Sequence, residues 1–327
     1  MSRNKKLTDE DILAECRIQS SQASGSEYAA DELTADRTNA LKYYMGKPRG
    51  DEVVGRSDVI SKDVADMIDA MLTQIMPMFA TDDLVQFEAQ SEQDEIQART
   101  ESQFCNNVIM EKNHGFVLFE TLVKDALLSK NATAKVLVDI DEQVDKERYK
   151  DLTPEEMMFV LQPTKPNQEI DVTLFEEETG KVNLKRITTK RKLLVEAVAP
   201  ENFSVTSEWK SQYLDDCTYC VERMWKTKSD LIEQGFKKDL VNSLPSSTSD
   251  TKADSIERNQ VSDEQNFFNT QTSMQIVEIE EHYIRIDQDN DGIAELHKVV
   301  SAENILLSNE EVECIPYANG VAFLMGH

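Results

Sequence analysis

Asp287, Asp289 and Asp291 stand at alternate positions, with Gly292 directly after them. Calcium loops of the EF-hand type begin this way: hard carboxylate oxygens at the first, third and fifth positions, then a glycine that permits a sharp turn. The twelfth position of such a loop needs a bidentate Glu, but here it is Lys298, and the residues on both sides alternate as strands do. Two readings stay open. One is a β-hairpin turn, for which Asp291-Gly292 is a strong dipeptide. The other is an incomplete calcium site of millimolar affinity, completed by Glu295 or Glu281.

Other constellations are weaker. Cys217 and Cys220 have metal or redox spacing, but no second pair and no nearby His completes a site. They also fall in a segment patterned as a strand, where positions three apart face opposite sides. With Cys16, Cys105 and Cys314 the count is odd, which fits reduced thiols rather than a disulfide framework. His114, His282, His297 and His327 form no metalloprotease motif, and the chain has no phosphate loop, nucleophile elbow or Gly-rich fingerprint. No catalytic residue is assigned. The basic residues Lys185, Arg186, Lys190, Arg191 and Lys192 suit phosphate contact, although a solvated strand face is the commoner origin of such a run.

Composition limits the function classes. In 327 residues there are 62 acidic and 35 basic side chains, a net charge of −27. Affinity for DNA comes largely from Lys and Arg on phosphates, so general nucleic-acid binding is disfavoured. An acidic surface serves solubility, or lines a conduit through which DNA slides without sticking. No apolar run reaches the length of a membrane span. The basic N-terminus lacks the apolar core of a secretory signal.

The elements that must position these residues change period along the chain. Residues 1–45 read as an acidic helical arm, interrupted at Ser20–Ser26 and ordered against a neighbour. Residues 46–240 read as an α+β region. It opens with a Gly- and Pro-marked turn, then a helix over 58–79 capped by Ser57 or Ser61, with Ile60, Val64, Met67, Met71, Ile75 and Met78 on one face. A strand over Leu84–Ala89 follows, then a helix opened by Ser91 and Asp94 and ended by Asn113-His114-Gly115. The next helix carries Phe116, Phe119, Leu122, Val123, Ala126 and Leu127. Alternation then predicts strands at Ala134–Ile140, Glu169–Phe175, Val182–Thr188, Lys192–Val198 and Asp216–Trp225, with short helices opened by Thr153-Pro154 and by Thr227. Residues 245–272 are polar and read as a mobile linker or surface excursion. Residues 273–327 read as a β-hairpin region whose apolar ending at His327 suits a truncated chain. Helices first and mainly antiparallel strands later give the α+β class.

The stretch from Tyr43 to Phe87 carries Gly46, Pro48 and Gly50, then Gly55-Arg56-Ser57, then the amphipathic run and Asp82-Asp83-Leu84-Val85-Gln86-Phe87. This order resembles the N-terminal half of the portal proteins, the head-to-tail connectors of short-tailed bacteriophages. Asn113-His114-Gly115-Phe116, Asp125–Lys130, Pro200-Glu201-Asn202-Phe203, Tyr219–Arg223, Thr227–Leu231 and Asp289–Leu296 resemble successive portal segments, so the likeness runs from about Asn39 to about Leu307.

The resemblance implies a portal-like wing and body, and a homo-oligomeric ring, typically of twelve subunits, at one capsid vertex. DNA is packaged and ejected through the channel of such a ring, and the tail attaches to it. Terminase, capsid or scaffold and tail adaptor proteins are the implied partners, with assembly in the bacterial host cytoplasm and residence in the virion. It implies a structural role, no enzyme activity, no membrane and no cofactor beyond the calcium considered above. The alternatives are a carboxylate–metal hydrolase or nuclease using Asp287, Asp289 and Asp291, and an acidic calcium-binding adaptor.

Overall fold

The structure, a computed structural model, describes residues 6–23, 27–47, 61–81, 83–91, 93–176, 180–206, 208–209, 211, 213–245, 271–303 and 305–321. Gly55-Arg56-Ser57, residues 246–270 of the expected linker and residues 322–327 lie outside the described residues. Helices α1 (Asp9–Ala23), α2 (Glu27–Met45), α3 (Asp63–Ile75), α4 (Glu95–Asn106) and α5 (Gly115–Ser129) come first. Strands β1 (Asn131–Tyr149), β2 (Gln168–Glu176), β3 (Lys181–Val198), β4 (Phe203–Val205) and β5 (Tyr219–Thr227) follow, with helix α6 (Pro154–Val160) after β1. Helices α7 (Lys228–Glu233) and α8 (Lys238–Ser243) precede strands β6 (Ile276–Ile286), β7 (Glu295–Ala302), β8 (Ile305–Glu311) and β9 (Tyr317–Val321). The class is α+β, as the change of period indicates. The chain divides into two compact units, 1–135 with 196–327 and 136–195.

The larger unit is built on an antiparallel sheet of order β4-β5-β6-β7-β8. Helix α1, in the segment expected to form an arm, puts Ile12 and Cys16 against Tyr219, Val221, Ile284 and Val299 on one sheet face. Only a narrow stripe of α1 is apolar, so its amphipathicity was faint in the sequence. On a second core cluster, Cys220 and Tyr283 meet Phe203, Leu296 and Tyr317. A third cluster packs Leu231 and Val241, from α7 and α8, on Val277, Ile279 and Val300. Thr227 caps α7 reciprocally with Asp230, as its spacing predicts, whereas α8 was too short to be read from pattern.

Three local expectations are corrected. Leu84–Ala89 is no strand: its partner is helix α4, whose Asn106 side chain donates to Val85 O and accepts from Val85 N, both at 2.9 Å. Ser102 Oγ accepts from Phe87 N in the same way at 2.9 Å. Helix α3 starts after Lys62 with no side-chain cap, so Ser61 does not serve, and Ser57 lies outside the described residues. The buried face of α3 and its following turn is Ile68, Leu72 and Met76; Val64, Met67, Met71 and Met78 stay 39, 61, 41 and 71% exposed. Apolar spacing located the helix, but only half of its wide apolar arc meets α2 and α5. Likewise α5 buries Leu118 and Leu128, while Phe116 is exposed.

The smaller unit, 136–195, contains the outer parts of β1 and β3 with β2 and α6. Expected strands Val182–Thr188 and Lys192–Val198 are one continuous β3. Helix α6 opens with the capping box of Thr153 and Glu156, with Pro154 in its first turn, and puts Met157 on Val182 and Leu184. Arg186 is not available to phosphate: it is buried, donates to Glu147 Oε2 at 2.8 Å, and donates to the carbonyls of Val160 and Gln162 that end α6. Gly180 has φ +62°, and a Cβ there would lie 2.6 Å from Leu152 O, so the turn into β3 requires glycine.

Candidate functional site

The acidic residues form the turn between β6 and β7, just past the last pair, Ile286 with Glu295. Asp287 accepts from Asp291 N at 3.1 Å and from Gly292 N at 2.9 Å, Asp289 accepts from Asp291 N at 3.1 Å, and Asp291 accepts from Ile293 N at 2.7 Å. Asn290 and Gly292, at φ 63° and 98°, supply the left-handed positions. These bonds are what a turn requires. One oxygen from each of the three carboxylates also lies within 4.8 Å of the other two, so the cluster that a cation would need exists geometrically. Glu281, offered by the sequence as a completing ligand, is committed elsewhere, and Lys298 is one reason: its Nζ lies 3.5 Å from Glu281.

That commitment is a site the sequence did not disclose. Glu222 on β5 and Glu281 on β6 are directly paired across the strands. Lys135, from β1, reaches both carboxylates, at 2.6 Å and 3.1 Å. Tyr317 on β9 donates to Glu222 at 2.6 Å, and Tyr283 donates to Glu281 at 2.8 Å. Lys135, Glu222 and Glu281 are all buried. Burial opposes charge on Lys135, but Glu281 and Glu222 outweigh it and hold its pKa above the usual lysine value. Burial likewise opposes charge on Glu281, and Lys135 and Lys298 outweigh it, holding that carboxyl below its usual value. Desolvation, with the neighbouring carboxylates, pushes both phenols far up, so they remain donors. A buried network so fully satisfied fixes which strands lie together; it presents no group poised to react.

A second buried chain contains His282. Its Nδ1 lies 2.8 Å from Tyr219 Oη and its Nε2 3.0 Å from Ser301 Oγ. Glu280 approaches that same Nε2, at 3.6 Å, and is itself held by Arg223 at 2.7 Å. A nucleophile–base–acid relay needs hydroxyl and carboxylate on opposite ring nitrogens, so Ser301, His282 and Glu280 do not make one. Burial lowers the His282 pKa to about 4, leaving a neutral ring with a partner at each nitrogen. Cys217 and Cys220 are buried free thiols whose pKa desolvation raises, outweighing Arg285 near the first and Lys135 near the second.

None of these arrangements prescribes a reaction. Residues 13–327 match the model of the family described as Phage SU10 portal protein. The chain belongs to this portal family. No curated protein matches it. In this phage portal chain several of the later segments that resemble portal proteins fall at joints of the scaffold. Asn113-His114-Gly115 is the break between α4 and α5, with His114 left-handed at φ 51°. Lys130, at φ 71°, ends α5 and turns the portal chain into β1. Pro200–Phe203 leads into β4, Tyr219–Arg223 forms half of β5, and Thr227–Leu231 holds the capped start of α7. Those positions are specified by backbone geometry, which is why they read clearly in the sequence. Among the described residues, no helix is long and apolar enough to cross a membrane.

Proposed function

We propose that the chain is one subunit of the ring at a capsid vertex through which phage DNA is packaged and later ejected, and to which the tail attaches. The observation that carries this reading is the family match over residues 13–327. Two features support it. The buried ionisable groups are spent on joining strands. The net charge of −27 leaves a surface that conducts DNA better than it holds it. Assembly in the host cytoplasm, a count of twelve, and contacts with terminase, scaffold and tail adaptor proteins belong to the same proposal.

The test is the mass of the full chain in solution, with negative-stain images, at low and high salt. Rings with a central hole are expected. A strict monomer in every condition would instead favour the acidic adaptor reading. The hydrolase reading predicts magnesium-dependent DNA cleavage that Asp289→Asn removes, and no such cleavage is expected here. Calcium at Asp287, Asp289 and Asp291 is a separate, lesser proposal, supported by the grouping of their oxygens.

A further inference from the structure

Helix α3 exposes a strip of Val64, Met67 and Met71 that borders an apolar groove floored by Ile68 and Leu127, with Asp63 at its rim. Methionine side chains adapt to the shape of a partner, and a continuous apolar strip beside acidic residues is the composition of an interface centre with a charged edge. We propose that this face is covered by a second copy of the chain, and that the covering surface is the open face of the sheet in unit 136–195. The proposal rests on the ring reading above and names its contact.

The choice of occupant follows from the chain's own surfaces. A ring needs two different patches that fit each other, because its contacts are head-to-tail. In β1, Glu147 bonds Arg186 and Tyr149 packs into the α6 core, so odd-numbered positions there face α6. The even positions Val136, Val138 and Ile140 lie on the opposite face and are 42, 55 and 55% exposed. Glu142, Val144, Lys146 and Arg148 continue the β1 series, so this strip passes one acidic residue and ends in two basic ones, where the α3 groove has Asp63 at its rim and Asp66 in the same first turn. Charge is divided in the same sense. Residues 136–195 hold ten basic and thirteen acidic side chains, so only −3 of the total −27 lies there and the larger unit is strongly acidic. A nearly neutral, basic-ended apolar sheet is the part of a second copy that an acidic-edged methionine groove accepts with least repulsion.

The test uses the full chain as Met67→Glu with Met71→Glu, as Val138→Glu, and as Met158→Glu. Met158 is 73% exposed and lies outside both surfaces. Circular dichroism checks that each variant is folded, and mass photometry with negative stain reads the assembly. A buried charge at an interface centre weakens association about tenfold or more per site, so the α3 and β1 variants are expected to lose rings while Met158→Glu keeps them. A Met71→Cys and Val138→Cys double variant should form oxidised ladders that neither single variant forms. Rings that persist in the α3 variants would overturn the contact but leave the portal reading standing. A wild-type chain that never assembles would overturn both.

Discussion

Glu222 and Glu281 face each other directly across β5 and β6, an arrangement of like charges that would push the strands apart without Lys135 between them. Lys135→Met is therefore expected to cost about 3–5 kcal/mol, the usual result of stranding buried charge. Adding Glu222→Gln and Glu281→Gln should recover much of that loss, since a neutral set no longer needs the ammonium. Urea unfolding of the three proteins measures both numbers. Because Lys135 and Tyr317 are paired residues of β1 and β9, faster amide exchange in β9 should accompany the single substitution.

His282 gives the fold an acid-sensitive element. Its folded pKa, lowered by burial to about 4, lies below the ordinary histidine value of 6.5. Between those values the unfolded chain binds a proton that the folded chain does not, so stability falls as pH drops through that window, by up to about 1.4 kcal/mol per pH unit. Glu281, held below its usual value, adds a loss in the same direction at lower pH. Urea midpoints from pH 7 to 4 should decline in the wild type. In His282→Asn the decline above pH 5 should be shallower, although the variant starts from lower stability. Equal slopes would mean that His282 is not the group responsible.

The order of elements was legible because their signals are local. The Thr153 and Thr227 caps, the Asn113–Gly115 break and the Asp291-Gly292 turn each depend on residues within one turn of chain, and each stands where its spacing put it. What stayed hidden depends on residues far apart. Lys135, Glu222, Glu281 and Tyr317 come from different strands, and nothing in a sequence with 62 acidic residues singles out the two that meet one lysine. Strand Leu84–Ala89 failed for a related reason: the backbone of Val85 is paired, but its partner is the Asn106 side chain rather than another strand. On α3, spacing recovers an apolar arc but not how much of it the chain itself covers.

The acidic turn separates structural from cation-binding roles by substitution. Asp287 accepts from two backbone amides, and Asp289 from one that Asp287 shares. Asp287→Ala leaves Gly292 N without its acceptor and should cost about 1–2 kcal/mol, whereas Asp289→Ala should cost a few tenths of that. Thermal unfolding measures both. The calcium proposal adds a further expectation: at ten times its dissociation constant the ion would stabilise the wild type by about 1.4 kcal/mol, and Asp289→Asn would remove the gain. A melting temperature unmoved by calcium up to tens of millimolar would leave the residues with the turn alone.

Ionic strength sets two effects against each other during assembly. Subunits carrying −27 each repel, and that repulsion acts over a Debye length of about 30 Å at 0.01 M salt but about 8 Å at 0.15 M. The proposed contact between the acidic edge of α3 and the basic end of the sheet is attractive, and salt weakens it too. Exposed pairs of that kind contribute about 0–1 kcal/mol each, and only a few can form. The repulsion involves every charge on every neighbour, so its screening dominates. Rings should therefore appear at lower protein concentration as sodium chloride rises from 0.01 to 0.15 M, as read by light scattering across a dilution series. Removing one rim charge with Asp63→Asn should leave the direction of this salt effect unchanged, and assembly that weakened with salt instead would show that local pairs, not net charge, govern ring closure.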